Sequence, residues 1–340
     1  MKEITTIGLD LAKNVFHLIG TDTKGHEVLK KQLKRTQLLP WFAQLPPCLI
    51  GMEACTGAHD WARRLRALGH DARLLPAQDV KAYVRGNKND YNDARAIAEA
   101  VVRPRVRCVA VKTIAQQDIQ ALHRLRAMQV ANRTALCNQL RGLLAEYGIV
   151  LPQGVATLRR RLPDLLEEGE NGLSPLFRQL LAQGYQQLQQ SDAHIEDFTR
   201  LMVQQTRTDE AERRLQTIPG FGPVIASAFH AAVGDGQAYR RGRDVSASLG
   251  LVPRQHSSGG QALLLGISKR GDSYLRSLLV QGARAALRQA PRKQDRLSRW
   301  ATRLKAERGA NKAAVALANK MARIGWAVLR HHTVYQPVTS

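Results

Sequence analysis

The sequence predicts a mixed α/β domain at the N-terminus and a mainly helical structure in the rest of the chain. Three observations predict this fold class. Short apolar segments alternate with turn residues and helical patterns over residues 3–102. Leucines then recur at three- and four-residue spacing, and the last third combines long amphipathic patterns with one glycine-rich segment. The predicted domains are 1–150, 151–212 and 213–340.

The first domain is predicted to contain five strands, with the turn "TDTKG" between the second and the third. The strands are 3–11, 14–20, 26–33, 48–53 and 71–76. Helical spacing of apolar residues predicts helices at about 37–44, 57–69, 90–102 and 113–148. Three meandering strands followed by alternating helices and strands predict a sheet that is antiparallel on one side and parallel on the other. This is also the element order of an RNase H-like domain.

The middle of the chain, 151–212, differs from its flanks in charge, because it holds 6 Lys/Arg against 10 Asp/Glu. Its stretch "LFRQLLAQGYQQLQQSDAHIEDFTRLM" has leucines at helical spacing, which predicts a helical hairpin or an antiparallel coiled coil. Contact between protomers and an arm folded within one chain are both consistent with this pattern.

The charge of the whole chain indicates a polyanionic partner. The formal net charge is +23, and residues 236–340 hold 20 Lys/Arg against 4 Asp/Glu. Such an excess favours nucleic acid as the partner over a merely solvated basic surface. One predicted helix is expected to follow a phosphate backbone without reading bases. Its basic residues are Arg292, Lys293, Arg296, Arg299, Arg303, Lys305 and Arg308.

Cysteine spacing and hydropathy exclude several other classes of protein. No two of the four cysteines have C-x-x-C spacing, so the sequence predicts neither a zinc ribbon nor a disulfide framework. The first residues lead into a strand without an apolar signal region, and no window has the length and apolarity of a membrane span. The expected location is the bacterial cytoplasm, at the nucleoid when the protein acts.

Four carboxylates are predicted to meet at one edge of the sheet. Asp10 ends the first strand and Glu53 ends the fourth, while Asp90 and Asp93 lie three residues apart at the start of a helix. Each acid alone has a structural explanation, such as a turn or a charge at a helix N-terminus. Four together would repel one another unless a cation neutralised them, and Mg²⁺ prefers oxygen ligands. The sequence therefore predicts a magnesium site.

Two segments of the C-terminal domain have features of nucleic-acid contacts. In "TIPGFGPVIASAFHAAVG", Gly220 and Gly222 allow the tight turn of a helix–hairpin–helix, whose backbone N–H groups would face a phosphate. In "GLVPRQHSSGGQALLLGISKRGDSYLRSLL", Arg254, Lys269 and Arg270 flank the small-residue segment 257–260, which composition alone would make a flexible linker. These basic residues are predicted to contact phosphates.

The segments "IGLDLAKNVF", "GMEACTGAHDWA" and "NKNDYNDARAIAEA" resemble the acid motifs of the DEDD transposases of the insertion sequence one-ten (IS110) family, and within it of the eleven-eleven subgroup. The resemblance covers essentially the whole chain. It implies a RuvC-like N-terminal domain in which the four acids form a catalytic tetrad with Mg²⁺. It also implies a transposase domain that carries a nucleophilic serine.

The serine of that family lies in a P-R-x-x-x-S-G pattern, which Pro253, Arg254, Ser258 and Gly259 match. Ser258 therefore takes the role of nucleophile by resemblance, and Ser257 is an immediate rival. A serine hydroxyl needs activation. His256 is two residues away and is expected to face the other way, so the tetrad is the better activator. The family builds such a composite site from two domains.

The function implied is a DNA transposase that mobilises its own insertion sequence through a phosphoserine intermediate. The family resemblance also implies a structured noncoding guide RNA, called a bridge RNA, and a homo-oligomer, either a dimer or a tetramer built as a dimer of dimers. A RuvC-like junction endonuclease that activates water would use the same tetrad. A nucleic-acid-binding protein without catalysis is the third class, and metal-dependent cleavage of DNA would exclude it.

Overall fold

The structure is a computed structural model that describes residues 3–87, 89–258 and 261–338, without the side chains of Ser258, Gln261 and Ala262. The chain divides into two compact units, one up to Ala115 and one from Gln116 on. No helix in the described part of the chain is long and apolar enough to cross a lipid bilayer.

The first unit is built on a five-stranded sheet. Its strands are β1 (Thr6–Asp10), β2 (Val15–Thr21), β3 (Glu27–Lys34), β4 (Leu49–Glu53) and β5 (Asp71–Leu75). The order across the sheet is β3-β2-β1-β4-β5. The pairs β1–β2 and β2–β3 are antiparallel, whereas β1–β4 and β4–β5 are parallel. The mixed α/β sheet predicted from the element order is confirmed.

Four α-helices accompany this sheet. They are α1 (Leu38–Phe42), α2 (Ala58–Ala67), α3 (Ala77–Lys81) and α4 (Asp90–Val101), with a 3₁₀ turn at Arg35–Gln37 before α1. Helix α3 is not among the predicted helices, because five residues are too few to show helical periodicity. The inward-facing residues of the strands are fully buried, among them Ile7, Leu9, Ile50, Met52 and Leu74.

Two strand glycines allow α4 to lie directly on the sheet. A Cβ at Gly8 would overlap the carbonyl oxygen of Ala94 in α4, and a Cβ at Gly51 would lie 2.8 Å from Cβ of Val101. Backbone approach this close is available only where a side chain is missing. Gly8 and Gly51 are each two residues before the carboxylate that ends their strand, so the helix is fixed beside both carboxylates.

The second unit is mainly helical. Its helices are α5 (Ile114–Ala145), which begins just before the unit, α6 (Val155–Glu167), α7 (Pro175–Thr208), α8 (Glu210–Leu215), α9 (Pro223–Val233), α10 (Gly242–Ser248), α11 (Ser273–Gln289), α12 (Arg296–Arg308) and α13 (Ala310–His331). A 3₁₀ turn at Ala290–Arg292 follows α11.

Helices α5, α6 and α7 pack into an arm within one chain. Leu140, Leu158 and Leu181, one from each helix, are buried in a common cluster. The contact is close at Gly184 of α7, where a Cβ would lie 2.6 Å from Leu140 Cδ2. Part of the leucine pattern of α7 is therefore used inside the protomer. Leu176 and Leu180, by contrast, are 66% and 51% exposed.

The prediction that 257–260 is a flexible linker is wrong for Ser257 and Ser258, because both belong to a β-strand. A two-stranded antiparallel sheet forms from β6 (Pro253–Ser258) and β7 (Gln261–Ile267), and Ser258 pairs with Gln261 at its end. Gly259 and Gly260 lie outside the described residues. The remaining helices enclose a core that includes Phe229 of α9, Leu279 of α11 and Met321 of α13.

Gly220 lies in the turn between α8 and α9 and makes a backbone contact with α11. Its φ is +88°, and a Cβ there would overlap the carbonyl oxygen of Gly282. We expect Gly220→Ala to lower the free energy of unfolding by at least about 2 kcal/mol, because it combines a left-handed backbone with a steric clash. Urea denaturation measures this loss.

The matched control is Gly222→Ala, since Gly222 has φ −85° and open space where its Cβ would be. Gly222 is the N-cap of α9, and alanine is a poorer N-cap than glycine, so a loss below about 1 kcal/mol is expected. Equal losses for the two variants would contradict the structural role of Gly220.

Candidate active site

The predicted acidic residues lie where strands β1 and β4 end and where helix α4 begins. Asp10 is the last residue of β1 and Glu53 the last of β4. These strands are parallel, with Leu9 opposite Met52, so both carboxylates are at the same edge of the sheet. Asp90 is the first residue of α4 and Asp93 lies in its first turn.

The electrostatics show that these carboxylates interact. Burial and the charges of Asp93 and Asp90 raise the pKa of Asp10 to about 6, while His17 opposes the shift. Burial and the charges of Asp10 and Asp93 also raise the pKa of Glu53 above its ordinary value. Neighbouring negative charge thus disfavours ionisation of Asp10 and Glu53, which a bound cation would reverse.

His17 is a residue of this region that the sequence analysis missed. It is opposite Asp10 in the antiparallel register of β1 and β2. Its Nδ1 atom is buried without a hydrogen-bond partner in the described residues, and Asp90 Oδ2 lies 3.4 Å away. The edge of the His17 ring also contacts Tyr91, with ring centroids 4.7 Å apart. The short connection between β1 and β2 fixes this register, so a hairpin alignment of the sequence would have placed His17 beside Asp10.

The donor set fits a hard divalent cation. Four carboxylates offer oxygen ligands only, which Mg²⁺, Ca²⁺ and Mn²⁺ prefer. Cys55 is nearby, but partial burial of its thiol and the charges of Glu53 and Asp10 raise its pKa, so it remains a neutral thiol. A thiol is a poor ligand compared with a thiolate. The repulsion between Asp10, Glu53 and Asp93 is therefore best relieved by an oxygen-bound metal.

A second group with metal-ligand side chains lies in the other unit. The ligand atoms of Asp209, Glu212 and His230 all lie within 4.8 Å of one another. The described residues contain no other such group, so no three of Asp10, Glu53, Asp90 and Asp93 have ligand atoms this close together in the structure. His230 Nδ1 is 3.3 Å from Asp209 Oδ2 and 3.6 Å from Glu212 Oε1. Burial lowers the pKa of His230, but the bond to Glu212 and the two carboxylate charges outweigh it and raise the pKa overall. The raised pKa favours the imidazolium form of His230, whose positive charge would balance the two carboxylates without a metal ion.

Ser258 and Arg254 belong to the β6–β7 hairpin, and Lys269 and Arg270 follow it. Ser258 is at the end of β6, and His256 lies two positions earlier in the same strand. The expectation that His256 faces the other way is wrong, because positions two apart in a strand share one face. Arg254, Lys269 and Arg270 are all exposed. The base of the hairpin is held by backbone bonds from Ser268 N to Val252 O (2.8 Å) and from Lys269 N to Gly250 O (3.1 Å). The structure thus places the basic side chains along the hairpin and at its base, and the predicted nucleophile at its far end.

The two glycines of the turn between α8 and α9 have different surroundings. Gly222 is exposed at the N-terminus of α9. Gly220 is used for the contact with Gly282. Of the two predicted phosphate contacts, the backbone at Gly222 is the one open to a ligand.

His123 is a buried polar residue of the second unit that no sequence motif singled out. Its Nδ1 lies 3.0 Å from the Tyr274 hydroxyl and its Nε2 lies 3.0 Å from Ser227 Oγ. Ser227 donates its proton to Pro223 O, so Nε2 must donate to Ser227 and Nδ1 must accept from Tyr274. Burial and the Arg126 charge lower the pKa of His123 to about 4.

We expect this network to make the protein less stable in acid. The pKa of His123 is depressed on folding, so the unfolded chain takes up the proton first as the pH falls from 6.5 towards 4. The loss approaches about 3 kcal/mol at pH 4, from about 1.4 kcal/mol per pH unit. Urea denaturation at pH 7 and pH 4 checks this. His123→Asn should show a smaller loss between the two pH values, whereas His194→Asn, at an exposed position of α7, should behave as the parent protein. An unchanged loss in His123→Asn would refute the assignment.

Comparisons with known proteins agree with the motifs. A model of the Transposase IS116/IS110/IS902 family matches residues 212–298, and a model of the IS110-type DEDD transposases, described as "Transposase", matches residues 7–149. The first match contains Ser258 and the second contains all four acids.

Full-length relatives give the same result. A probable family 20 transposase from Pseudomonas aeruginosa is 48% identical, over 98% of this chain and 99% of its own. The transposase for insertion sequence element IS1111A from Coxiella burnetii is 44% identical, over 99% of this chain and 92% of its own. The transposase for IS1328 from Yersinia enterocolitica is 42% identical, over 98% and 99%. This chain, with its acidic sheet edge and its serine hairpin, belongs to the IS116/IS110/IS902 family of insertion-sequence transposases.

Proposed function

We propose that this transposase cuts and exchanges DNA strands through a phosphoserine intermediate, with Mg²⁺ held by Asp10, Glu53, Asp90 and Asp93. The family already suggests a divalent metal. The observation that carries the proposal is the position of Asp10 and Glu53 at the edge where the parallel strands β1 and β4 end. Burial, and then the charges of acidic neighbours, raise the pKa of both carboxyl groups. The strand order β3-β2-β1-β4-β5 supports an RNase H-like, RuvC-like nuclease domain.

The proposed reaction is a transesterification. The Ser258 hydroxyl oxygen bonds to phosphorus, and the bond from phosphorus to one deoxyribose oxygen breaks. The serine proton leaves to a base and the departing oxygen gains a proton, so the number of phosphodiester bonds is conserved. Reversal with a different strand end rejoins the DNA. Two divalent cations at such a site stabilise charge on the attacking and leaving oxygens.

Each group has a defined task in this scheme. The four carboxylates would hold the cation, which would stabilise negative charge on the reacting phosphate. Arg254, Lys269 and Arg270 contact neighbouring phosphates and position the strand. Because Asp10 and Ser258 belong to different units, the reaction requires an arrangement in which both act on one phosphodiester.

The competing function is a junction endonuclease in which the same tetrad activates water. A suicide DNA substrate, nicked so that the cut strand end diffuses away, distinguishes the two. The phosphoserine mechanism predicts a protein–DNA adduct on denaturing gels that requires Mg²⁺ and is absent in EDTA. Metal-dependent cleavage without an adduct would contradict the serine mechanism and support the endonuclease.

We further propose a structured noncoding guide RNA and action in the bacterial cytoplasm, where the DNA substrate lies. The guide RNA is implied by the family resemblance alone, and the net charge of +23 is consistent with it. Sequencing of the RNA that copurifies with the protein tests this. One RNA encoded by the element is the expected result, and a random sample of cellular RNA would contradict it.

We propose a homo-oligomer, a dimer or a dimer of dimers, with the free leucines of α7 at a protomer contact. Leu176 and Leu180 are exposed although their helix packs elsewhere in the arm. We expect the double variant Leu176→Glu/Leu180→Glu to raise the dissociation constant at least about tenfold, since burial of one leucine contributes about 1.5–3 kcal/mol. Multi-angle light scattering measures the mass. The control Gln183→Glu alters an exposed polar residue of α7, and equal masses for both variants would contradict this contact.

A further inference from the structure

Two cavities meet in the basic C-terminal region. The first, of about 550 Å³, lies between α10, α12, α13 and the segment 335–338. The second, of about 520 Å³, is lined by α12 and α13. Arg296 and Lys320 line both cavities, so the two form one groove with these side chains between them.

The groove is lined by several Arg and Lys side chains and by no acidic residue. The first cavity is lined by Arg241, Arg243, Arg296, Lys320 and Arg323, and its lining contains no Asp or Glu. The second adds Arg299 and Arg303. Like charges this close are unfavourable unless an anion joins them.

Lys320 is the centre of this arrangement. Its Nζ lies 3.8 Å from the centroid of the Trp300 ring, a cation–π contact that holds the side chain in place. Burial and the charges of Arg296 and Arg323 lower its pKa. The charged groups acting on Lys320 are thus both cations, and a phosphate would relieve the repulsion.

The other wall of the first cavity is apolar and fixed. It is formed by Leu297, Ile324, Trp326, Ala327, Tyr335 and Val338. Trp326 Nε1 donates to Gly236 O (3.0 Å) and Tyr239 O (3.2 Å), which sets its ring. Arg296 N donates to Val338 O (2.9 Å), which ties the C-terminal segment to the start of α12.

A ligand for this groove must be anionic on one side and flat and apolar on the other. A nucleotide meets both requirements, because its phosphate pairs with cations and its base stacks on aromatic side chains. The volume is within the range of about 300–1,000 Å³ that is usual for small-ligand sites. A duplex hides its bases inside the helix, so only an unpaired strand could use the apolar wall.

We propose that this groove binds an unpaired nucleotide of a DNA or RNA strand, with the phosphate on Lys320, Arg296 and Arg323 and the base against the Trp326 and Tyr335 wall. This site is separate from the serine hairpin and from the acidic sheet edge. The proposal rests on the proposed function only in taking nucleic acid as the ligand. Binding in EDTA can therefore be tested whether or not the phosphoserine mechanism is correct.

The test measures fluorescence anisotropy of labelled 12-nucleotide single strands, DNA in one arm and RNA in the other, with the full chain. Lys320→Gln is expected to weaken binding about tenfold, as for the loss of one bond to a charged group. Lys312→Gln is the matched control, because it removes the same charge from an exposed position of α13. Lys320→Arg should retain most of the affinity, and thermal melts of all variants verify folding. The arm with the larger loss identifies the strand type.

Two results would overturn the proposal. Equal weakening in Lys320→Gln and Lys312→Gln would show that only the overall charge matters. Abasic strands that compete as well as intact strands would show that the apolar wall takes no base. Should Lys320→Gln fail to fold, Arg296→Gln tests the same phosphate contact, with Arg288→Gln as its control at an exposed position of α11.

Discussion

Asp10→Asn is expected to lower DNA strand exchange at least about a hundredfold, the size of losing one strong electrostatic stabiliser of the transition state. Asparagine keeps the shape of the side chain but removes one negative ligand from the proposed metal site. The pKa of Asp10 is raised to about 6, so folding disfavours its ionised form, and the neutral amide should leave the free energy of unfolding at pH 7 unchanged or higher.

Two measurements are therefore needed. A recombination assay in Mg²⁺ gives the loss of activity, and urea denaturation gives the stability. Asp60→Asn in α2 is the control, since Asp60 pairs with Arg63 and Arg64 and lies outside the predicted tetrad. Strand exchange close to that of the parent protein in Asp10→Asn would refute the assignment of the tetrad. A loss of activity that simply follows unfolding would refute it as well.

Ser258→Ala is expected to abolish both the covalent DNA adduct and recombination. Alanine has no oxygen to attack phosphorus, whereas the basic surface that binds DNA and RNA is untouched. Electrophoretic mobility shifts should therefore show normal binding, while denaturing gels with suicide substrates show no adduct. Retention of the adduct in this variant would show that another residue is the nucleophile.

Ser257→Ala is the matched control one residue away. The Ser257 oxygen accepts a hydrogen bond of 2.8 Å from Gln255 Nε2 on the same strand, so this hydroxyl already has a partner within the hairpin. Ser257→Ala is expected to have only a mild effect on recombination, because it removes an ordinary hydrogen bond that contributes about 1 kcal/mol. An adduct that survives Ser258→Ala but disappears in Ser257→Ala would give the role to Ser257.

The N-terminal sheet could be predicted because its residues follow simple rules. Its strands are short apolar runs ended by turn residues, and Asp10 and Glu53 fall at the ends that parallel pairing brings together. The start of α4 could also be predicted. Asn89 is a favourable N-cap residue, and its side chain accepts a hydrogen bond of 2.9 Å from Tyr91 N.

The β6–β7 hairpin could not be predicted in the same way. Leu263, Leu264 and Leu265 of β7 are all exposed in consecutive positions, so the strand lacks the alternation that marks a half-buried sheet. The groove around Lys320 was hidden for another reason. Arg243, Arg296 and Lys320 belong to three different helices, and only their packing shows that they share a cavity.

The bare backbone at Gly8 and Gly51 has a consequence for how this transposase can be controlled. At these points α4 approaches the main chain of β1 and β4 directly, so no strand side chain separates the helix from the sheet. A larger residue at either glycine would push α4 away from the sheet, and with it Asp90 and Asp93 at the start of the helix. On the proposed mechanism, the two glycines therefore make the acidic edge a rigid part of its domain. Regulation of transposition is then expected at the delivery of the DNA and the serine hairpin, which makes the timing of assembly the step to observe.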